Sequence, residues 1–268
     1  MHVSANFQPL LRVIGLDADA VFDDPRIRVW RKLDDRENCM LDGEDADGNP
    51  VRLHIKRYTA APRGQTPAEI EHAGQNLLET ERIPTASLVA WGVMPDRRSF
   101  TIWLDLADFT PGDKMIAGGF AFDRLLEQTA DLAAKLHRSG LHHRDLYLCH
   151  FMVNARASES PAEVRLIDVA RVRRLPGFLT RRRWIVKDLA QFWYSTTKHG
   201  DVISDEQRDR WLARYCQSRG DVSPKSLHNA ILRKVRAIAR HDARLNRNQP
   251  NRNVSLPGIG VDTKNAQG

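Results

Sequence analysis

The chain has 268 residues, of which 41% are hydrophobic and 28% charged, and its formal net charge is +7. These values are typical of a globular protein and exclude collagen-like and disordered sequences. The length allows one large domain or two modest lobes and excludes a string of modules.

The chain lacks the patterns of membrane insertion and secretion. No run approaches about 18 consecutive apolar residues, and the N-terminus has no basic start followed by an apolar run and a small-residue cleavage site. The three cysteines, Cys39, Cys149 and Cys216, are far apart and form no C-x-x-C pair. Because disulfide frameworks need paired cysteines, this usage predicts a reducing compartment, and therefore a cytoplasmic location.

Residues 1–106 are predicted to form a β-rich lobe that contains one helix. Alternating apolar and polar residues, bounded by turn-forming residues, predict strands at 27–33, 38–41, 51–56, 86–93 and 99–104. Thr66, Pro67 and Glu69 form a helix start with a capping residue, a proline at the first position and an early acid. We expect this helix to run to about Arg82, before Pro84.

Residues 107–249 are predicted to form a second, mainly helical lobe. From Phe122 to Leu136 apolar residues recur on one helical face, and Gly140 supplies the stop. Two short strands, at 151–153 and 164–167, are expected to precede three helices, at 184–195, 205–217 and 225–245. Residues 250–268 are rich in Asn, Gly and Pro without periodicity, which predicts a flexible tail.

The most informative motif follows the amphipathic helix directly. His143, Arg144 and Asp145 stand between that helix and a short predicted hairpin, which is typical of the catalytic loop of protein-kinase-like enzymes. In such a loop the aspartate accepts or orients the proton of the acceptor hydroxyl group. Asp145 is therefore the candidate catalytic base.

Two further positions agree with this hypothesis in order and context. Asp168 ends an apolar strand, where a kinase keeps the aspartate that binds Mg²⁺ at the nucleotide phosphates. Lys56 ends an earlier strand, as the phosphate-binding lysine of a kinase does. On the helix that follows, Glu71 is the preferred partner of Lys56, and Glu69, one half-turn away, is the alternative.

The segment His143 to Phe151, HRDLYLCHF, resembles the catalytic loop of the bacterial lipopolysaccharide core heptose and Kdo kinases. The resemblance extends over roughly residues 26–215 and includes Lys56, Glu71, Asp168 and the sequence KDLA at 187–190. It implies an α+β, two-lobed protein-kinase-like fold with a small antiparallel β lobe and a larger helical lobe. It also implies ATP and Mg²⁺ or Mn²⁺ as cofactors, and transfer of the γ-phosphate to a sugar hydroxyl of a lipid-linked core oligosaccharide.

Two features depart from protein kinases in general. No G-x-G-x-x-G motif precedes Lys56, so nucleotide binding must rest on the lysine and the metal rather than on a glycine loop. His150 stands five residues after Asp145, where protein kinases place an Mg²⁺-binding asparagine. Imidazole is a poor ligand for Mg²⁺, so we expect either one weak metal site or a hydrogen-bonding role of His150 at the cofactor.

Two more residues are expected to support this loop. Asp188 is predicted to lie on a helix beneath the loop and to accept hydrogen bonds from its backbone N–H groups. His143 is expected to pack under the loop as a structural residue rather than to react.

The stretch from Arg171 to Arg183 falls where a kinase meets its acceptor. It holds the apolar residues of 176–179 between two arginine groups, which are Arg171, Arg173 and Arg174, and Arg181, Arg182 and Arg183. Arginine suits phosphate and carboxylate recognition. The stretch therefore predicts contact with an anionic membrane surface and an acidic glycan. Together with the resemblance, it implies a lipid-linked acceptor at the cytoplasmic face of the inner membrane. The basic patches lack interleaved aromatic residues, so no nucleic-acid partner is expected. A solvated arginine-rich surface is the alternative.

Two other functions remain open at the level of sequence. One is a soluble small-molecule kinase that resembles the aminoglycoside and choline phosphotransferases, although these need an acidic pocket for cationic acceptors. The other is a non-catalytic kinase-like scaffold that binds anionic membrane or glycan, which the missing glycine loop and His150 favour. The set of Lys56, Glu71, Asp145 and Asp168 is intact and favours an enzyme.

Overall fold

The structure is a computed structural model that describes residues 1–17, 19–60, 62–155 and 161–248. Within these residues the chain forms two compact units. The N-terminal unit comprises Met1–His72 and Ser87–Asp105, and the C-terminal unit comprises Ala73–Ala86 and Leu106–Asn248. The units differ from the predicted lobes by the placement of Ala73–Ala86, and the lobe boundary at 106/107 stays a prediction. The predicted tail, 250–268, lies outside the described residues.

The N-terminal unit is built on an antiparallel sheet of six strands in the order β1-β5-β6-β4-β3-β2. The strands are β1 His2–Val3, β2 Arg28–Lys32, β3 Arg36–Glu44, β4 Pro50–Tyr58, β5 Leu88–Val93 and β6 Ser99–Leu104. All five predicted strands are confirmed, the first four with shifted ends, and β1 was not predicted. Neighbours in the β3–β4 ladder, such as Cys39 opposite Ile55 and Leu41 opposite Leu53, bury one face of the sheet in a shared apolar core.

The expectation of a single helix in this region is wrong. A seven-residue helix, α1 Gln8–Ile14, lies between β1 and β2 in the chain and ends at Gly15, whose φ of +64° suits a left-handed cap. Leu11 and Ile14 of α1 pack into the core of the sheet. Because two helical turns are marginal without packing, this tertiary contact accounts for an element that its length alone does not predict. The predicted helix is present as α2 Pro67–Thr80.

The C-terminal unit is mainly helical. Its helices, apart from the end of α2, are α3 Gly112–Ala117, α4 Asp123–Arg138, α5 Phe178–Thr197, α6 Asp205–Arg219 and α7 Pro224–Asn248. Two small antiparallel sheets accompany them, formed by β7 Thr110–Pro111, β8 Leu141–His142, β9 Phe151–Asn154, β10 Glu163–Leu166 and β11 Arg173–Arg174. Helix α4 packs on α6 and α5 packs on α7. Phe192 stacks on Trp211 at the centre of this core, with 4.1 Å between the ring centroids.

The helices of this unit differ from the prediction at two places, and the two-residue strands β7, β8 and β11 were not predicted. Helix α3 was not expected, and α5 begins at Phe178 rather than at Trp184. The early start of α5 places Phe178 and Leu179 on its first turn, with 92% and 95% of their surface exposed. Apolar residues on a solvent-facing turn do not follow the periodicity of a packed helix, so the pattern did not indicate this beginning.

Helix α2 makes a close backbone approach within the C-terminal unit. A Cβ atom added at Gly74 would lie 2.1 Å from the carbonyl oxygen of Val169. No non-bonded carbon and oxygen atoms can come so near, so the helix and the turn at Val169 pack at this distance only because residue 74 is glycine.

We expect Gly74→Ala to destabilise the protein by about 1–3 kcal/mol, because the methyl group forces the backbone at Val169 to move. Gly64→Ala is the control, since a Cβ atom there meets no other atom within 4 Å. Urea unfolding of both variants measures the free energies. Helix propensity alone would make Gly74→Ala stabilising. An unchanged or higher free energy of unfolding would therefore contradict the close packing at residue 74.

Candidate functional site

In the N-terminal unit Lys56 forms an ion pair with Glu71. Its ammonium nitrogen lies 2.6 Å from Oε1 of Glu71, a residue that is only 1% exposed. Tyr58 donates its hydroxyl proton to the same oxygen at 2.7 Å, and Thr101 donates to Oε2 at 3.1 Å. The carboxylate is thereby fixed from both sides, and it holds the Lys56 side chain, one quarter of which remains exposed.

Glu69 has a different role from Glu71. Its Oε2 atom accepts hydrogen bonds from the backbone N–H group and the hydroxyl group of Thr66, at 2.6 and 2.9 Å. The backbone hydrogen bond is the main reason why the pKa of Glu69 is lowered. Glu69 therefore closes a capping box at the start of α2, and it is engaged there rather than with Lys56.

In the C-terminal unit the loop that follows β8 carries Asp145. Both carboxylate oxygens of Asp145 contact one guanidinium nitrogen of Arg171, at 2.9 and 3.0 Å. Gln191 of α5 donates to Oδ1 at 3.3 Å. The Asp145 side chain is 17% exposed and the Arg171 side chain 53%, so the carboxylate lies near the surface of the unit with the guanidinium in front of it.

Asp188 lies fully buried on α5 beneath this loop. It accepts the backbone N–H groups of His143 and Arg144 at 2.7 and 2.8 Å, and a ring nitrogen of His137 lies 3.3 Å away. Burial by itself would raise the pKa of Asp188, but the hydrogen bond with His137, together with those from the loop, lowers it. The predicted supporting role of Asp188 is confirmed by these contacts.

The same face of α5 holds the loop at three more points that sequence reasoning missed. Lys187 donates to the carbonyl oxygen of Arg144 at 3.0 Å. The backbone N–H groups of Leu146 and Leu148 donate to the side chains of Gln191 and Ser195, at 3.2 and 2.8 Å. The sequence contained a signal for this face, since polar residues recur at the helical spacing of four along α5.

His150 joins the loop to the strand that ends at Asp168. Its Nδ1 atom lies 2.6 Å from the carbonyl oxygen of Asp145, and its Nε2 atom lies 3.8 Å from Oδ2 of Asp168. Burial favours the neutral ring, but Cys149, the Asp168 carboxylate and the Asp145 carbonyl outweigh it and raise the pKa of His150 to about 9. Because a carbonyl oxygen can only accept, the Nδ1 atom of His150 donates a hydrogen bond to Asp145.

Asp168 occupies an unusual backbone conformation. Its φ and ψ angles are 61° and 60°, in the left-handed region that non-glycine residues rarely adopt. The preceding residue, Ile167, is fixed at both backbone groups, because a ring nitrogen of His143 lies 3.1 Å from its carbonyl oxygen and its N–H group donates to the carbonyl oxygen of His150. Such strain is typical of functional sites, and the Asp168 side chain is 40% exposed.

His143 is completely buried, as its structural role requires. Burial is the main cause of the lowered pKa of its ring, so it is held neutral. Within residues 1–17, 19–60, 62–155 and 161–248, no group of three or more His, Cys, Asp or Glu side chains is arranged as a preformed metal site.

A comparison with protein-family models matches residues 57–215, more than half of the chain, to the lipopolysaccharide kinase (Kdo/WaaP) family. The chain belongs to this family. The resemblance seen in HRDLYLCHF is thereby confirmed, and the match includes the loop of Asp145, the strained Asp168 and the supporting helix α5.

Two curated relatives align with the chain over short regions, and about one third of the residues within those regions are identical. The lipopolysaccharide core heptose(I) kinase WaaP of Pseudomonas aeruginosa is 33% identical over 84 residues, which are 31% of this chain and 31% of the relative. The protein of the same name from Escherichia coli is 33% identical over 92 residues, which are 32% and 31% of the two chains. The chain thus aligns with less than one third of the length of either relative.

A solved structure described as WaaP in complex with acyl carrier protein has a similar fold. The likeness covers 88% of this chain and 99% of that chain, with a TM-score of 0.65 and 22% sequence identity. It confirms the predicted α+β, protein-kinase-like fold class.

We expect Asp188→Asn to loosen the Asp145 loop, because an amide replaces one of the two oxygens that accept loop N–H groups. A buried N–H group without a partner costs about 1–3 kcal/mol, and the free energy of unfolding should fall by that amount. Amide hydrogen exchange should also accelerate at His143 and Arg144. The exposed Asp201→Asn serves as the control. Unchanged exchange at both amides would show that Asp188 does not hold the loop.

Proposed function

We propose that this protein is an ATP-dependent kinase that phosphorylates a sugar hydroxyl group of a lipid-linked core oligosaccharide in lipopolysaccharide biosynthesis. The observation that carries the proposal is the Asp145 carboxylate at the surface of a loop fixed by Asp188, in a chain of the lipopolysaccharide kinase family. The names of the curated relatives support the same reaction class.

Lys56 is assigned to the α- and β-phosphates of ATP. Glu71 neutralises the lysine when no nucleotide is present and orients its ammonium group, while Tyr58 and Thr101 keep that carboxylate in place. Because the cation is already oriented, the site needs less reorganisation free energy to stabilise the charge that develops during phosphoryl transfer. Without a glycine-rich loop ahead of Lys56, this pair is the main phosphate-binding feature of the N-terminal unit.

Asp168 is assigned to Mg²⁺ or Mn²⁺. The residues fit such an ion, because Mg²⁺ usually takes one or two protein carboxylates and completes its shell with phosphates and water. The carboxylate of Asp168 is accessible, and the neighbouring His150 supports the site by hydrogen bonding to the loop rather than as a ligand. When bound, the ion neutralises charge on the phosphate oxygens.

Asp145 is assigned as the base that receives the proton of the acceptor hydroxyl group. Its loop leaves the carboxylate partly exposed, while Gln191 restricts the rotation of the side chain. Catalysis would then consist of positioning and of charge stabilisation, since phosphoryl transfer needs little covalent participation by the protein.

The three cysteines form no disulfide bond with one another, which agrees with the proposed cytoplasmic location.

The thermal stability of the wild type should rise with ATP plus Mg²⁺ or Mn²⁺, because ligands that bind the folded state stabilise it. Asp168→Asn should lose the metal-dependent part of this rise. Asp145→Asn should keep it but reduce phosphoryl transfer to deacylated core oligosaccharide by about a hundredfold or more. Asp201→Asn, a charge-matched change on an exposed residue, should alter neither.

Near-wild-type transfer by Asp145→Asn would refute the assignment of Asp145. A folded wild type that shows neither nucleotide stabilisation nor transfer would favour the scaffold function. Transfer to aminoglycosides or choline, but not to core oligosaccharide, would favour the small-molecule kinase.

We also propose that the start of α5 contacts an anionic membrane, where a lipid-linked acceptor would be found. Phe178 and Leu179 are almost fully exposed and are flanked by arginines. Beside them lies a groove between α5 and α7 whose basic residues are Arg182, Arg183, Lys187, Arg233 and Lys234. Apolar side chains beside clustered cations match the interface of an anionic bilayer. The helices in the described part of the chain include none that is long and apolar enough to cross a membrane.

The protein should sediment with phosphatidylglycerol vesicles and much less with phosphatidylcholine vesicles, because basic residues contribute about 1 kcal/mol each at an anionic surface. Changing both Phe178 and Leu179 to serine should weaken binding about tenfold or more. Val202→Ser, a change on another exposed apolar residue, is the control. If the double variant at Phe178 and Leu179 binds the vesicles as well as Val202→Ser does, the membrane contact lies elsewhere.

A further inference from the structure

Arg171 differs from the other arginines of its stretch by its partner. It ends the turn Val169–Arg171 that follows Asp168, and one of its nitrogens lies within 3.0 Å of both oxygens of Asp145, 26 residues away. Arg173, by contrast, donates to the carbonyl oxygens of Ala170 and Val172 within its own turn. Arg174 is exposed on the edge strand β11.

The pair between Arg171 and Asp145 obstructs the carboxylate. A base that receives a hydroxyl proton needs acceptor capacity on its oxygens, and here both oxygens contact the guanidinium while Oδ1 also accepts from Gln191. Each carboxylate oxygen can accept about two hydrogen bonds, so Oδ2 keeps part of its capacity, and an incoming hydroxyl group competes with Arg171 for the carboxylate. Since the arginine is 53% exposed, the pair contributes little to stability and can exchange partners at low cost.

Displacing a guanidinium from a carboxylate is easiest when another anion replaces that carboxylate. The surroundings favour this, because a second cation is near: Lys187 donates to the carbonyl oxygen of Arg144 in the loop, and burial, followed by the charge of Arg171, lowers the pKa of Lys187. A planar guanidinium binds carboxylate and phosphate groups through two parallel hydrogen bonds. Arg171 can therefore exchange one anion for another without becoming an uncompensated charge.

We propose that Arg171 is an acceptor-binding residue that recognises an anionic group, phosphate or carboxylate, next to the hydroxyl group to be phosphorylated. In the free protein the guanidinium rests on Asp145. When an anionic acceptor binds, Arg171 pairs with its anion and releases Asp145 to the hydroxyl group. This assignment rests on the proposed kinase function and adds the class of acceptor, an already acidic sugar, to it.

The test combines direct binding with kinetics. Deacylated core oligosaccharide is prepared in three forms: intact, with its phosphates removed, and with its carboxyl groups reduced. Calorimetry without ATP measures the affinity of wild type, Arg171→Met, Arg171→Lys and the control Arg12→Met, a change on an exposed residue of α1, for each form. Steady-state phosphoryl transfer gives KM for the acceptor and for ATP, and circular dichroism verifies the fold of each variant.

Arg171→Met should weaken binding of the intact acceptor and raise its KM about tenfold or more, as for the loss of a charged hydrogen bond, with KM for ATP unchanged. Arg171→Lys should recover part of the loss, and Arg12→Met should behave as wild type. Whichever of the two modified acceptors lacks the recognised anion should bind wild type and Arg171→Met equally. That arm distinguishes phosphate from carboxylate.

The proposal is overturned if Arg171→Met binds all three forms as the wild type does, or if the wild type binds none of them. It is also overturned if the variant raises KM for ATP instead of that for the acceptor. Failure of the kinase function has a different signature, because a wild type that transfers no phosphate can still show the Arg171-dependent binding of the intact acceptor.

Discussion

The buried carboxylate of Asp188 is the constraint on which the candidate site depends. Burying a carboxylate away from water costs much free energy unless hydrogen-bond donors surround it. Here the backbone of the Asp145 loop supplies two such donors. To direct these N–H groups at Asp188 the chain adopts a positive φ of 72° at Arg144. Asp145 follows Arg144 directly in the sequence. The position of Asp145 is therefore a consequence of the hydrogen bonds that satisfy the buried charge of Asp188 on α5.

The N-terminal unit uses the same device for another purpose. Glu71 is almost completely buried, and its two oxygens are satisfied by Tyr58, Thr101 and Lys56. There the fixed carboxylate orients a cation, whereas Asp188 orients a backbone. In both cases a group that remains partly exposed is held in place by a group that is buried.

The local patterns predicted five of the six strands of the large sheet, the major helices and the family, because alternation, helical spacing and the run HRDLYLCHF are written in consecutive residues. They failed for α1 and α3, which have seven and six residues. Helices of this length have little stability of their own, so Leu11 and Ile14 form a helix because the sheet core accepts them. The exposed start of α5 at Phe178 likewise carries no packing pattern.

The sequence by itself determined which chemical groups are present and in what order: a strand-end lysine, an acidic helix, a histidine-arginine-aspartate loop and a later aspartate. Only the tertiary structure decided that Lys56 pairs with Glu71 while Glu69 caps its helix, and that Arg171 rests on Asp145. The physical reason is that periodicity describes neighbours a few residues apart. Pairs such as Arg171 and Asp145, 26 residues apart, depend on the path that the packed core imposes on the chain between them.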